Sequence, residues 1–216
     1  MLSVLLAPAC AACSRILEHP SPGPVCPACW ADIALLSPPF CELPPSISSG
    51  RAAGRYEGAL RQVIHAFKYD ARVSLARPLA SMMRTAGAGI LGDADCVVPV
   101  PLHPWRRLRR GFNQARELAA RLDRPLVQPL WRPGWTGAQS GLMAAERWTN
   151  VRGAFALAPW VPAVTIERFV RARCLVLVDD VWTTGATLDA CGRVLLEAGA
   201  REIRALAIAR AALPPR

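Results

Sequence analysis

Apolar and polar positions follow patterns along this chain that predict both strands and helices. Residues 174–178 form a short apolar run rich in branched side chains, as expected for a buried strand. A helical pattern covers residues 188–197, and Gly199 follows it as a stop signal. The other predicted elements are a strand over residues 96–100, which Pro99 places at an edge or a strand end, and helices over residues 56–69 and 75–83.

Two carboxylates, Asp179 and Asp180, stand where the strand over residues 174–178 is predicted to end. A small, hydroxylated segment follows and opens the next helix, whose first N–H groups and positive dipole end attract phosphate. Gly185 lets the backbone approach a ligand closely, and the threonine hydroxyls add hydrogen-bond donors. The carboxylates can accept hydrogen bonds from ribose hydroxyls, so this order of groups indicates a site for a phosphorylated sugar. The loop residues of this site are Thr183, Thr184, Gly185, Ala186 and Thr187.

The alternative is an ordinary strand–turn–helix unit whose helix is capped by Thr183 or Thr184. A capping box needs Glu or Gln three residues after the cap, and Ala186 and Thr187 stand there instead. Two adjacent acids at the end of an apolar strand also cost free energy unless something binds them. Both points favour the phosphate site.

Length, composition and charge narrow the class of protein. A chain of 216 residues can hold one substantial domain and a small appendage, and 52% hydrophobic content excludes a disordered chain. The net charge is +10, and Lys68 is the only lysine among 26 basic residues, so the cationic groups are almost all guanidinium groups. This balance suits an anionic substrate or nucleic acid, although coding in a GC-rich genome also produces arginine-rich chains.

The sequence carries no membrane or export pattern. No apolar run has the length of a transmembrane helix. The apolar N-terminus has no basic residue before Arg15, whereas a signal peptide needs a positively charged start. We therefore expect a cytoplasmic protein with no membrane insertion.

A cluster of four arginines lies between the strand over residues 96–100 and a helix that Asn113 can cap. A loop this cationic predicts a polyanion site, with pyrophosphate or a nucleic-acid backbone as candidates, and the alternative is a solvated basic loop. Because strand-end loops of a parallel sheet meet at one edge, we expect this loop to lie beside the acidic pair. The four residues are Arg106, Arg107, Arg109 and Arg110.

Four cysteines near the N-terminus have the spacing of a zinc site. Two C-x2-C pairs separated by twelve residues are the usual arrangement for four thiolate ligands. Disulfides are the alternative, which a cytoplasmic setting disfavours. A segment this short cannot bury a core, so the metal would supply its folding free energy and take no part in chemistry. The predicted ligands are Cys10, Cys13, Cys26 and Cys29.

The predicted organisation is a zinc-binding module over residues 1–36, a linker rich in Pro, Ser and Gly over residues 37–54, and a main domain over residues 55–216. Cys41 is half of a lost pair or a free thiol. The other three cysteines, at positions 96, 174 and 191, fall in apolar patterns and are predicted to be small core residues.

Several motifs in order give the chain a family resemblance. The paired cysteines, YEG…HAFKYD, VPVPLHPWRRLRRGFNQ, Gln139…ERWTNVRGAF and LVDDVWTTGAT together resemble the late-competence ComF family of bacterial phosphoribosyltransferase-like proteins. The resemblance covers nearly the whole chain. It implies an α/β protein with a type I phosphoribosyltransferase fold, a parallel sheet flanked by helices, and a small N-terminal zinc-binding module. Trp182 departs from the family pattern, and its indole either stacks on a base or packs the loop.

The resemblance also implies roles for the site residues in binding 5-phosphoribosyl-1-pyrophosphate (PRPP). Asp179 and Asp180 would hold the ribose hydroxyls, and residues 183–187 would hold the 5′-phosphate. Mg²⁺ would bridge pyrophosphate and ribose oxygens. The arginine cluster and Arg147, in a Gly-rich segment that closes over the site, would neutralise the pyrophosphate.

Two functions remain open at the level of sequence. One is an enzyme that transfers phosphoribose from PRPP to an unknown acceptor. The other is a non-enzymatic protein on the same fold that senses PRPP or a nucleotide, or binds single-stranded DNA as an adaptor. The resemblance associates either function with DNA uptake in natural transformation, where DNA-uptake and recombination proteins would be partners.

Overall fold

The computed structural model describes residues 9–17, 23–36, 43–70, 72–133 and 153–212. Six strands lie in this part of the chain. They are β1 (Ser49–Arg55), β2 (Cys96–Pro99), β3 (Leu130–Trp131), β4 (Ala156–Leu157), β5 (Cys174–Trp182) and β6 (Glu202–Arg210). Among the described residues, no helix is both long and apolar enough to cross a bilayer.

Four of the strands form one parallel sheet in the order β1-β6-β5-β2. β5 and β6 are central, and their apolar side chains face helices on both sides, as expected for a buried parallel strand. β2 is an edge strand and ends at Pro99, which confirms the position predicted from that proline. β3 and β4 pair separately as a short antiparallel ribbon.

Eight α-helices accompany the strands within the described ranges. They are α1 (Pro27–Ala31), α2 (Gly58–Tyr69), α3 (Ala76–Ala86), α4 (Ala88–Leu91), α5 (Pro104–Arg110), α6 (Gln114–Ala119), α7 (Ala163–Phe169) and α8 (Ala186–Glu197). The helices predicted over residues 56–69, 75–83 and 188–197 correspond to α2, α3 and α8. Asn113 caps α6, as predicted, because its side chain accepts a hydrogen bond from the Ala115 N–H at 3.0 Å.

Alternate residues of β5 build a core on each face of the sheet. Val176 and Val178 pack with the apolar faces of α2, α3 and α6. Leu175 and Leu177 pack on the opposite face with α8. The remaining cysteines at 96, 174 and 191 are buried in these cores, as predicted. The predicted fold class, a parallel sheet flanked by helices, is confirmed.

The sheet begins inside the segment that composition predicted to be a linker. Residues 49–54 belong to β1, which pairs in parallel with β6 from Ser49–Arg204 to Arg55–Arg210. Backbone hydrogen bonds also join β1 to the chain that leaves the zinc-binding module, from Leu36 N to Ala53 O at 3.1 Å and from Arg55 N to Ala34 O at 2.9 Å. The module is therefore tied to the sheet through β1.

Candidate functional site

The acidic pair lies in β5 itself and not in a loop after it. The strand runs from Cys174 to Trp182, so it extends four residues beyond the predicted end at Val178. The edge strand β2 stops earlier, where Pro99 pairs with Val178. Asp179 and Asp180 therefore stand just beyond the end of their neighbour, half-buried on the carboxyl side of the sheet. This is the edge at which parallel sheets bind their ligands.

Adjacent strand residues point to opposite faces, and the two carboxylates have different surroundings. Asp180 faces α2, where its Oδ1 lies 2.7 Å from Nζ of Lys68, and both side chains are only 14% exposed. Asp179 faces α8, where its charge raises the pKa of the buried Cys191 thiol after burial itself. The two acids are linked because the Asp180 N–H donates to Oδ1 of Asp179 at 2.8 Å.

Asp179 is the carboxyl with the perturbed ionisation. Burial raises its pKa from the ordinary value of 3.8 to about 7, and the neighbouring charge of Asp180 raises it as well. The Asp180 N–H, Lys68 and Arg110 oppose this shift by smaller amounts. Near neutral pH the group is therefore shared between its acid and carboxylate forms, so it can either donate or accept a hydrogen bond.

The loop after β5 leads directly into helix α8. Thr183 and Thr184 are exposed, and Gly185 begins α8 with a left-handed φ of +84°. The Ala186 N–H donates to Oγ1 of Thr184 at 3.3 Å. The first N–H groups of the twelve-residue helix α8 thus lie beside the hydroxyls of Thr183 and Thr184, and the acidic pair comes shortly before them in the chain. Residues 183–187 and the two carboxylates form one group of neighbours along the chain.

Residues before β1 pack against this loop, which the sequence did not reveal. A Cβ on Gly185 would lie 2.6 Å from Cγ of Pro44, so only glycine fits beneath the proline. The Ser46 N–H donates to Oδ1 of Asp189 at 3.1 Å, and Oγ of Ser46 donates to the Asp189 carbonyl at 3.0 Å. Asp189 is buried in the first turn of α8 and pairs with Arg193 at 3.3 Å. These contacts fix the start of α8 against the chain that enters the sheet.

Trp182 packs the loop from below. Its side chain is 1% exposed, which excludes the alternative that its indole stacks on a bound base. Gly50 in β1 leaves room for the ring, since a Cβ there would lie 2.6 Å from Cη2 of Trp182.

The arginine cluster lies on helix α5 and not in an irregular loop. Pro104 stands at the helix start, His103 Nδ1 accepts from the Trp105 N–H at 3.3 Å, and Gly111 ends the helix with a φ of +78°. The cluster follows β2, whose parallel partner β5 carries the acids, so the predicted neighbourhood of the two strand ends is confirmed.

The helix distributes its arginines in different directions. Arg110 is half-buried, donates to the Tyr69 hydroxyl at 3.1 Å and to Oε1 of Gln114 at 3.2 Å, and packs 4.9 Å from the centre of the Tyr69 ring. Its charge also lowers the pKa of Asp179, so it is the arginine of the cluster tied to the acidic pair. Arg107 lines a cavity on the outer side of β2. Arg106 and Arg109 are exposed.

The four predicted zinc ligands come together. The sulfur atoms of Cys10, Cys13, Cys26 and Cys29 all lie within 4.8 Å of one another. Backbone N–H groups point at the sulfurs, from Cys26 to Sγ of Cys10 at 3.2 Å and from Cys29 to Sγ of Cys26 at 3.5 Å. Burial opposes ionisation of Cys10, yet hydrogen bonds from the N–H groups of Cys26, Cys13 and Ala12 and from the Cys13 thiol together lower its pKa to about 6. Four converging thiols with N–H donors to sulfur fit a structural zinc ion.

Some predicted residues lie outside the described part of the chain. These are Arg147, assigned to pyrophosphate, with Gln139, Asn150 and Arg152 of the same segment, and Cys41. Lys68 is the site residue that sequence reasoning did not assign, although a lone lysine at the end of an apolar helix was visible. Its partner became apparent only when α2 was seen to pack across β5.

Comparisons with known proteins give one matching family model and several relatives. Residues 1–44 match the family model described as a double zinc ribbon domain. The chain is 35% identical to competence protein F of Haemophilus influenzae over 168 residues, which cover 73% of this chain and 71% of that protein. It is 30% identical to the DNA utilization protein YhgH of Escherichia coli over 217 residues, covering 93% and 89% of the two chains.

A solved structure of orotate phosphoribosyltransferase from Aeropyrum pernix is also similar to this chain. It has 18% sequence identity and a TM-score of 0.34, and the match covers 69% of this chain and 76% of that one.

Proposed function

The chain belongs to the competence protein F family, and from this premise we propose that its acidic strand end and threonine loop bind PRPP together with Mg²⁺. The observation that carries the proposal is the position of Asp179 and Asp180. They lie on the open carboxyl edge of the sheet, directly before a left-handed glycine and the start of a long helix. An anion-binding helix start beside two carboxylates matches a ligand that carries a phosphate and adjacent hydroxyls.

Each part of PRPP has a counterpart among the described residues. The N–H groups at the start of α8 and the exposed Thr183 and Thr184 hydroxyls would bind the 5′-phosphate. Asp179 and Asp180 would accept the ribose hydroxyls. Arg110, which donates to Tyr69 and lies beside the acidic pair, would attract the pyrophosphate. The more exposed arginines Arg106, Arg107 and Arg109, together with Arg147, are also assigned to the pyrophosphate.

The oxygen donors of the site fit Mg²⁺. This ion is usually held by one or two carboxylates together with substrate phosphate oxygens. Asp179 fits this role better than Asp180, because the Asp180 carboxylate is already paired with Lys68. When bound, Mg²⁺ would neutralise charge on the pyrophosphate. In place of the Asp179 proton, the positive charge of the ion would offset the cost of burying the carboxylate.

Calorimetric titration of PRPP into the zinc-loaded protein, with and without Mg²⁺, tests the proposal. We expect saturable binding that depends on Mg²⁺. The Asp179→Asn/Asp180→Asn double variant should lose it while its circular dichroism spectrum is unchanged. Asp123→Asn is the matched control, because Asp123 is an exposed aspartate with a φ of +54° that asparagine tolerates. Unchanged PRPP affinity in the double variant would rule out the site.

Transfer of phosphoribose is the enzymatic extension of this proposal. The bond from ribose C1 to pyrophosphate would break, and a bond from an acceptor nitrogen to C1 would form. Asp179 and Asp180 would steady the ribose while positive charge builds at C1, and Arg110 would stabilise the charge of the leaving pyrophosphate. Release of pyrophosphate from PRPP, measured for each nucleobase in turn, separates an enzyme from a protein that only binds PRPP.

A second candidate function is binding of single-stranded DNA in DNA uptake or use. Helix α5 favours it, because its exposed arginines alternate with two exposed apolar residues, Trp105 at 71% and Leu108 at 76%. The printed names of the relatives refer to competence and DNA utilization, and the net charge of +10 suits the same partner. Binding through phosphate contacts would weaken steeply as salt rises. DNA-uptake and recombination proteins would then be its neighbours.

The proposed location is the cytoplasm. The seven cysteines of the described ranges are all free thiols, and a reducing compartment keeps clustered thiols available to zinc.

A further inference from the structure

The cavity that Arg107 lines is on the outer side of the edge strand β2, apart from the acidic pair. It has a volume of about 550 Å³ and is enclosed by α5, the start of α6, the β3 strand and the turn that carries Trp160. Its lining contains neither Asp179, Asp180 nor any residue of the threonine loop. Its charged and aromatic lining includes Arg107, Arg116, Arg132, Phe112, Trp131 and Trp160.

The charge of this cavity is positive. Three arginines line it, and the single acid in the lining, Glu117, is already bound to Arg116 at 3.0 Å and to Arg121 at 3.0 Å. Arg132 is half-buried, and no carboxylate among the described residues pairs with it. Its guanidinium instead packs 5.2 Å from the centre of the Phe155 ring. A partly desolvated guanidinium without a counter-ion favours an anionic ligand.

The same cavity presents aromatic rings. Trp131 and Trp160 meet edge to face with centroids 5.4 Å apart, and Trp160 remains 68% exposed. Phe112 forms part of the opposite wall, with its ring 5.4 Å from that of Phe67 in the core. An exposed indole held by a second indole is a flat surface whose position is fixed, which is what stacking of a planar ligand requires.

We propose that this cavity binds one nucleotide unit, with the base against Trp160 and the phosphate on Arg107 and Arg132. Cations next to aromatic rings match a ligand that carries a phosphate and a planar base together. A bare nucleobase would leave the arginines without a counter-ion, and inorganic phosphate would leave the rings uncovered. The volume is within the range of cavities that hold ligands of this size.

The proposal does not rest on the acidic pair or the threonine loop, because none of their residues lines the cavity, and Arg107 is the one residue that belongs to both proposals. Two sources offer the same chemistry, a free nucleotide and one unit of a single-stranded nucleic acid. Titrations with thymidine 5′-monophosphate and with a six-residue oligothymidylate distinguish them. Saturable binding of either probe supports the pocket, and the tighter of the two identifies the source.

Matched pairs of variants locate the binding. Trp160→Ala and Trp105→Ala each remove a tryptophan that is about 70% exposed, but only Trp160 lines the cavity. We expect Trp160→Ala to weaken binding by about 5- to 100-fold, as loss of one base–aromatic stack predicts, and Trp105→Ala to weaken it by less than about twofold. Arg132→Gln should weaken binding at least about threefold more than Arg77→Gln, because Arg132 lines the cavity and Arg77 is an exposed arginine of α3 outside it.

An oligothymidylate with one abasic residue is the control for the base, and PRPP titration of each variant is the control for the acidic site. Equal effects of Trp160→Ala and Trp105→Ala would overturn the proposal, as would failure of both nucleotide probes to bind. So would inorganic phosphate binding as tightly as the monophosphate. Retained PRPP binding in Trp160→Ala shows that the acidic site is intact, so failure of one proposal is distinguishable from failure of the other.

Discussion

Nζ of Lys68 lies 2.7 Å from Oδ1 of Asp180, at the point where the last turn of α2 crosses the end of β5. This contact makes the surroundings of Asp180 different from those of Asp179. Asp180 has Lys68 as a direct partner, whereas Lys68 and Arg110 oppose the raised pKa of Asp179 only in part. The two adjacent acids therefore have different electrostatic surroundings.

Removing the Lys68 ammonium group should lower the stability of the protein, because the Asp180 carboxyl group loses its partner. In Lys68→Met, Asp180 would keep its buried position without a cation, so we expect the free energy of unfolding to fall by roughly 1–3 kcal/mol in urea denaturation at pH 7. The Lys68→Met/Asp180→Asn double variant is the control, because it removes both charges and should recover part of the loss. If the changes in the free energy of unfolding for Lys68→Met and Asp180→Asn add up to the change for the double variant, the interaction between the two side chains contributes nothing to stability.

The raised pKa of Asp179 gives stability a defined pH dependence. The folded protein binds the Asp179 proton more tightly than the unfolded chain, so the stability it contributes is complete below about pH 4 and is lost as pH rises through about 7. Asp179→Asn cannot ionise and still accepts the Asp180 N–H through its Oδ1. We therefore expect the variant to be more stable than the parent at pH 8, by roughly 1–3 kcal/mol, and equally stable near pH 4. Thermal unfolding at both pH values measures the difference.

PRPP titration of the same variant separates stability from binding. If Asp179 holds the ribose, the stabilised variant should bind PRPP more weakly. If the difference in stability between Asp179→Asn and the parent is the same at pH 8 as at pH 4, the assignment of the raised pKa to Asp179 is wrong.

Features with a local origin were predicted from the sequence. Residues 174–178 have a composition that forms a buried parallel strand wherever helices cover both faces, and Asn113 caps its helix through an N–H two residues away. The cysteine spacing specifies the thiol cluster because each pair folds on itself. The Asp–Asp–threonine segment is likewise continuous, so its groups could be placed before any tertiary contact was known.

Features that depend on tertiary contacts were missed. β1 has the sequence Ser-Gly-Arg-Ala-Ala-Gly-Arg, which has little intrinsic preference for a strand and is one only because β6 pairs with it. The extension of β5 through Asp179 and Asp180 has the same origin, since β6 continues to pair with it up to Trp182 and Arg210. The helical form of α5 was different, because Pro104 at its start and Gly111 after its end were local indications of a helix.

Two glycines allow the strain of the threonine loop to be measured. Gly185 and Gly111 both have left-handed φ values, +84° and +78°, but a Cβ would strike Pro44 at Gly185 and meet open space at Gly111. We expect Gly111→Ala to lower the free energy of unfolding by about 1 kcal/mol, from backbone conformation alone. Gly185→Ala should lower it by about 2–4 kcal/mol, because Pro44 or the loop must move as well. Thermal unfolding of the two variants gives the comparison, and equal losses would show that Pro44 does not press on the loop.

The N-terminal module offers a prediction about metal content. Four thiols converge there. Cys41 does not begin another C-x2-C pair, because Pro44 stands where the second cysteine would be, so we expect one zinc ion per chain by elemental analysis. Cys26→Ser should abolish zinc binding, because Sγ of Cys26 is one of the four converging sulfurs and lies 3.8 Å from Sγ of Cys13. Cys191→Ala should keep the full zinc content, since its thiol is buried beneath the acidic pair.

Zinc removal should unfold the module and leave the sheet folded. Among the described residues, the buried core of the module consists of Cys10, Leu17 and Cys26, which is too small to be stable without metal, whereas the sheet has two large cores of its own. With a strong chelator, hydrogen exchange should therefore become fast over residues 9–17 and 23–31 and stay slow in β5 and β6. The amides of Leu36, which donates to the Ala53 carbonyl in β1, and of Arg55, which donates to the Ala34 carbonyl, should exchange at intermediate rates, because they join the two regions. Simultaneous loss of protection in β5 would show instead that the metal stabilises the whole chain.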